Sequence, residues 1–129
     1  MGPSLSEIHQ IAAHSNDLDR SIAFYRDQLG AELIAKFDPP GLVFFRFGRT
    51  RLLLEKNAPR ATIYFRVEDI AQSVEALRAR GVQFAEEPNV VHRDDDGLFG
   101  RAGDEEWMAF FHDPDGNVLA LACQKGPAS

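Results

Sequence analysis

The stretch Asp17-Leu18-Asp19-Arg20-Ser21-Ile22-Ala23-Phe24-Tyr25-Arg26 returns, in altered form, as Asp69-Ile70-Ala71-Gln72-Ser73-Val74-Glu75-Ala76-Leu77-Arg78. Asp17 aligns with Asp69, Ser21 with Ser73, Ile22 with Val74 and Arg26 with Arg78. Apolar residues at Leu18, Ile22, Tyr25 and Leu29, and at Ile70, Val74 and Leu77, have the spacing of an amphipathic helix. Both aspartates suit an N-cap, and Gly30 and Gly81 suit a left-handed end to each helix. One supersecondary unit is therefore expected twice.

Working outward, each helix follows a short β-like run, Ile8 to Ala13 and Thr62 to Val67. Each is followed by a further strand (Ala31 to Phe37; Val82 to Val91) and then by a hairpin. The first hairpin is Val43-Phe44-Phe45-Arg46, a turn at Gly48, and Arg51 to Glu55. The second is Ala109-Phe110-Phe111-His112, the turn Asp113-Pro114-Asp115-Gly116, and Val118 to Ala122. These turn residues are those that tight reversals select. The expected class is α+β: two βαβββ modules, about 7–56 and 61–124 of a single domain, joined near Asn57-Ala58-Pro59-Arg60. Their sheets are expected to form an open, barrel-like mixed sheet around a concave cleft, with the helices outside.

Side chains alternate across a strand, so each sheet has two separable faces. One parity collects Ile11, Ala13, Phe45, Leu52, Leu54, Ile63, Phe65, Val67, Ala109, Phe111, Leu119 and Leu121, all apolar and suited to lie under the helices. The other collects Gln10, Ala12, His14, Phe44, Arg46, Arg51, Leu53, Glu55, Thr62, Tyr64, Arg66, Met108, Phe110, His112, Val118 and Ala120. A mixture of rings, charges and hydrogen-bonding groups fits a half-wet binding face better than a dry core.

Composition narrows the partners. The chain has 129 residues, 44% of them hydrophobic, which is globular rather than disordered. A net charge of −6 disfavours a phosphate backbone, so no nucleic acid is expected. The lone Cys123 excludes an internal disulfide and any multi-cysteine metal site. No apolar run reaches the roughly 18 residues of a membrane span. Met1-Gly2-Pro3-Ser4 lacks the features of a signal peptide, and a cytoplasmic location is the expectation.

Asp-Leu-x-x-Ser-x-x-Phe-Tyr at 17–25 and Phe-x-Asp-Pro-Asp-Gly-Asn-x-x-x-Leu at 111–121, inside a doubled βαβββ pattern, resemble the vicinal-oxygen-chelate superfamily over about residues 7–123. That superfamily includes glyoxalases, epimerases, extradiol dioxygenases, thiol transferases and metal-free antibiotic-binding proteins. The resemblance implies a small-molecule ligand and a homodimer. Its enzymes hold a divalent metal on the first and last strands of each module. Counting seven residues back from Asp17 and Asp69 gives Gln10 and Thr62 where those enzymes carry histidine. The closing-strand positions fall on Leu53 and on Ala120, four residues beyond Gly116. An amide, a hydroxyl and two hydrocarbons are a poor donor set, so no standard metal site is expected.

His9 neighbours Gln10, but alternation puts it on the opposite face, where it is expected to be a partly buried structural histidine. Glu55 is either a ligand contact or a solvated strand end. His112 is either an acid–base group or a rim histidine capping the turn. His92, if it points inward, joins Glu55 and His112 in a non-standard metal or acid–base cluster. The segment 93–106, with Asp94, Asp95, Asp96, Asp104, Glu105 and Glu106 between glycines, reads as a lid or as a solvated loop with Leu98-Phe99 at its tip. Arg66 and Arg51 are candidate anion anchors, alternatively paired with Glu55 and the acidic segment. Trp107 has the wrong parity for the cleft.

The expected ligand-binding set is Gln10, Phe44, Glu55, Thr62, Tyr64, Arg66, His92, Met108, Phe110 and His112, with no cofactor. The expected function is binding of a small, partly apolar or aromatic molecule without the standard metal. The alternatives are a lyase, isomerase or dioxygenase-type enzyme using Glu55, His92 or His112 with a relocated metal or none, and a module whose cleft serves only dimer packing.

Overall fold

Asp17 and Asp69 both act as the caps that the repeat requires. In the computed structural model, which describes residues 4–126, Asp17 Oδ1 accepts from the Arg20 amide at 3.1 Å and Asp69 Oδ1 from the Gln72 amide at 3.0 Å. Gly30 and Gly81 take φ of 78° and 93°, the left-handed geometry that stops each helix. The chain folds as α+β: β1 (Gln10–His14), α1 (Leu18–Ile22), a π-helical segment (Ala23–Gln28), β2 (Glu32–Phe37), β3 (Leu42–Phe47) and β4 (Thr50–Glu55), then β5 (Thr62–Arg66), α2 (Ile70–Ala79), β6 (Asn89–Asp94), β7 (Asp104–His112) and β8 (Val118–Lys125). Among the described residues no helix is long and apolar enough to cross a membrane.

Two compact units result. One runs to Ala61 and includes Asp113–Asn117; the other holds Thr62–His112 and the chain from Val118. Each contains a four-stranded sheet, ordered β1-β4-β3-β2 in the first and β5-β8-β7-β6 in the second. The two edge strands that open the modules, β1 and β5, run parallel to β4 and β8, and the remaining pairings are antiparallel.

The expected parity is realised. Ala13, Phe45, Leu52 and Leu54 are buried in the first unit, and Ala109, Phe111, Leu119 and Leu121 in the second. Tyr25 packs its ring 5.3 Å from Phe45, which puts the helical segment over this face of the first sheet. The helix is not α-helical throughout, however. From Ala23 the backbone widens, with the Leu29 amide bonding the Phe24 carbonyl five residues back. The wider turn reduces the angle between successive side chains, so Phe24 and Tyr25 are both buried.

Two further expectations are corrected. The strand read over Val82 to Val91 begins only at Asn89, because 82–88 runs without strand pairing into Pro88. The segment 93–106, read as one lid or solvated loop, is also shorter as a connection than expected. β6 continues to Asp94, β7 starts at Asp104, and the turn between them is tied to one buried side chain. Asp94 accepts amides from Leu98 at 2.8 Å, Phe99 at 2.8 Å and Gly100 at 3.1 Å. Burial alone would raise this carboxyl, but the three amides and the nearby His92 outweigh it and hold Asp94 below its ordinary value.

The Asp113–Asn117 turn is equally well determined. Asp113 Oδ1 accepts the Asp115 and Asn117 amides at 2.9 Å each, while its Oδ2 accepts from Tyr25 Oη and Asn117 Nδ2 at 2.7 Å each. Asp115 Oδ1 accepts from Arg20 Nη2 at 2.7 Å and from the Asn16 amide at 3.0 Å. Asn117 donates to the His14 carbonyl at 2.8 Å and accepts from the Ala61 amide at 2.8 Å. The Asp-Pro-Asp-Gly-Asn motif and Ser21, Tyr25 and Arg20 of the first repeat thus form one satisfied polar network.

Candidate functional site

In the first unit the strand register aligns three rows on the face away from the helix. Gln10 lies beside Arg51 and Arg46, Ala12 beside Leu53 and Phe44, and His14 beside Glu55 and Leu42. Arg51 donates to Gln10 Oε1 at 3.0 Å, contacts His9 Nε2 at 3.0 Å, and lies 5.7 Å from the Phe44 ring centre. The expectation for His9 is therefore wrong: it is exposed and shares a guanidinium with Gln10. His9 lies just ahead of β1, its carbonyl accepting the Arg51 amide at 2.9 Å. Arg51, offered as an anion anchor or as a partner of Glu55, has these neighbours instead.

The second unit offers more. Thr62 and His112 flank Val118, Tyr64 and Phe110 flank Ala120, Arg66 and Met108 flank Ala122, and Glu106 stands between His92 and Gln124. Tyr64 and Phe110 meet edge to face at 6.1 Å and remain exposed at 55% and 37%. A register shift between Val90 and His92 decides what parity could not: it pairs His92 with Glu106. The Phe99 ring meets His92 edge-on at 5.9 Å.

Two cavities open here and share Glu106 and Gln124. One, of about 350 Å³, is lined by Val91, His92, Phe99, Glu106, Met108 and Gln124. The other, of about 590 Å³, includes Tyr64, Arg66, Glu68, Asp104, Glu106 and Gln124 in its wall. Arg66 is thus at a cavity. Trp107 keeps the opposite parity, paired with Cys123, with Lys125 Nζ 4.2 Å from its ring centre.

His92 and His112 are not brought together, and among the described residues no group of three His, Cys, Asp or Glu could hold a metal ion. Within the second unit, His92 is opposite Glu106, whereas His112 lies six residues further along β7, roughly 20 Å at ordinary strand rise. His112 is exposed at the end of β7, opposite Val118. Glu106 is the residue that sequence reasoning missed as a site member, grouping it with an acidic loop. Counting back by twos from Phe110 and Met108 reaches it, once β7 is known to begin at Asp104.

The positions that carry the metal in family enzymes can be tested directly. Leu53 and Ala120 are buried hydrocarbons, Thr62 is an exposed hydroxyl, and the Gln10 oxygen already accepts from Arg51. This set does not fit a divalent ion, which needs several oxygen or nitrogen donors to replace its water.

Residues 7–121 match the model of the Glyoxalase/Bleomycin resistance protein/Dioxygenase superfamily. The chain belongs to this superfamily. YetH of Bacillus subtilis is 27% identical over 132 aligned residues, covering 91% of this chain and 98% of YetH. The crystal structure of lactoylglutathione lyase from Agrobacterium tumefaciens superposes with a TM-score of 0.71 at 25% identity, covering 94% of this chain and 96% of the lyase. A glyoxalase family protein from Bacillus anthracis superposes at 0.74 with 18% identity, covering 97% of this chain and 100% of its own, a likeness of fold alone. The superfamily's doubled module is what the internal repeat encodes.

Proposed function

We propose that this chain binds a small, partly apolar or aromatic molecule on the helix-free face of its sheets, and does so without the divalent metal of the superfamily's enzymes. The observation that carries the reading is the pairing of an intact face with a disabled donor set. Tyr64, Phe110 and Met108 keep an apolar, ring-bearing surface beside two cavities, while Leu53 and Ala120 stand where metal donors belong. The lyase named for the Agrobacterium relative is not carried over, because Gln10, Leu53, Thr62 and Ala120 lack the donors that a metal-assisted reaction would use.

The test is calorimetry on chelator-treated protein with zinc, nickel and manganese in turn, followed by a screen of small aromatic compounds read by amide NMR. No saturable metal binding, with ligand-induced shifts at Tyr64, Met108 and Phe110, is the expected result. One tightly held ion per chain would overturn the reading.

A further inference from the structure

We propose that the ligand taken by the second unit carries a protonated amine beside an apolar or aromatic body, with Glu106 as its counter-ion; this rests on the small-molecule reading above and names the chemical class. Glu106 Oε2 is buried and lacks a hydrogen-bond partner. An uncompensated carboxylate oxygen in such a place is costly, and native structures rarely leave one without a role. Among the described residues one other buried side-chain polar atom is in this state, Trp107 Nε1, and the next residue along a strand points to the opposite face.

The surroundings of Glu106 define what it can receive. It lies in the wall shared by both cavities. On one side Val91, Phe99 and Met108 offer aliphatic, aromatic and thioether surface, suited to a ring or short chain. On the other, Glu68, Asp104 and Glu106 stand against Arg66 in the wall and Arg101, 3.9 Å from Asp104, so carboxylates outnumber guanidinium groups. An ammonium placed at Glu106 supplies the missing donor and meets a favourable field, while its apolar body enters the smaller cavity. A ligand carboxylate there would face Glu106 and two further acids.

Three probes sharing a phenyl body separate these possibilities: phenethylamine, phenethyl alcohol and phenylacetate, titrated at neutral pH into the full chain and followed by amide NMR. Phenethylamine is expected to shift His92, Glu106 and Met108 and to bind about tenfold more tightly than the alcohol, the worth of one charge-assisted hydrogen bond. Phenylacetate is expected to bind least. Glu106→Gln should remove about tenfold from the amine and so abolish its advantage over the alcohol. Equal binding of amine and alcohol by the unsubstituted protein, a comparison that needs no variant, overturns the assignment while leaving small-molecule binding intact. If none of the three shifts these residues, the binding reading falls as well.

Discussion

Tyr25 donates its phenolic proton to Asp113 Oδ2 at 2.7 Å, joining the first repeat to a turn 88 residues later in the chain. Burial, followed by the charge of Asp113 and this hydrogen bond, pushes the phenol far above its ordinary value near 10. The unfolded chain gives up this proton at about pH 10 while the folded chain retains it. The unfolded state then binds fewer protons, and stability falls as the pH rises past that point. In a Tyr64→Phe background, ultraviolet titration should show no phenolate until the protein unfolds. Reversible ionisation of Tyr25 in the folded protein would contradict this.

Tyr25→Phe should cost about 1–3 kcal/mol, because it leaves a buried carboxylate oxygen short of a donor rather than merely deleting a contact. Urea unfolding at neutral pH measures it. An unchanged midpoint would show that the Asn117 amide alone satisfies Asp113.

Asp94→Asn should loosen the turn between β6 and β7, since it leaves one neutral acceptor oxygen and turns an NH2 donor toward amides that Asp94 accepts on both oxygens. Hydrogen exchange at Leu98, Phe99 and Gly100 should quicken while the buried residues of β8 stay protected. Acid should act in the same direction. The folded Asp94 stays ionised below the ordinary aspartate value, so the unfolded chain takes up a proton first and the contribution is lost as pH falls through the folded value. Exchange that is indifferent to both changes would refute the capping role.

Gly116→Ala should destabilise by roughly 1–2 kcal/mol through its left-handed backbone. At φ of 86° a Cβ would also sit 3.0 Å from Arg60 Nε, which donates to the Asp115 carbonyl at 2.8 Å. Gly48→Ala, at φ of 60° with open space around it, should show the backbone cost alone. Thermal melts of the two variants should differ, with Gly116→Ala the lower.

Most of the architecture was legible because the repeat fixes element order and the period of two fixes faces. Phe45 and Phe44, one residue apart, fall on the buried and the half-wet side as alternation requires. What escaped depended on events that interrupt a period. A register shift turned His92 toward Glu106, and His9, just ahead of β1, reaches Arg51. Six acidic residues in one stretch suggested a solvated loop, yet Asp94 is buried by its own turn and Glu106 belongs to a strand. Charge composition reports neither of these outcomes, because each depends on which amides and strands lie within reach.

The allocation of Asp113–Asn117 to the first unit has a practical corollary for anyone dissecting this chain. A fragment ending at Ala61 would carry Tyr25 and Ser21 in its interior but none of the acceptors supplied from residues 113–117. The Tyr25 hydroxyl would lose its acceptor, and Ser21 would be left with Ser15 alone. An amino-terminal half meant to fold by itself has to be given that five-residue turn as a graft, since the missing piece comes much later in the chain.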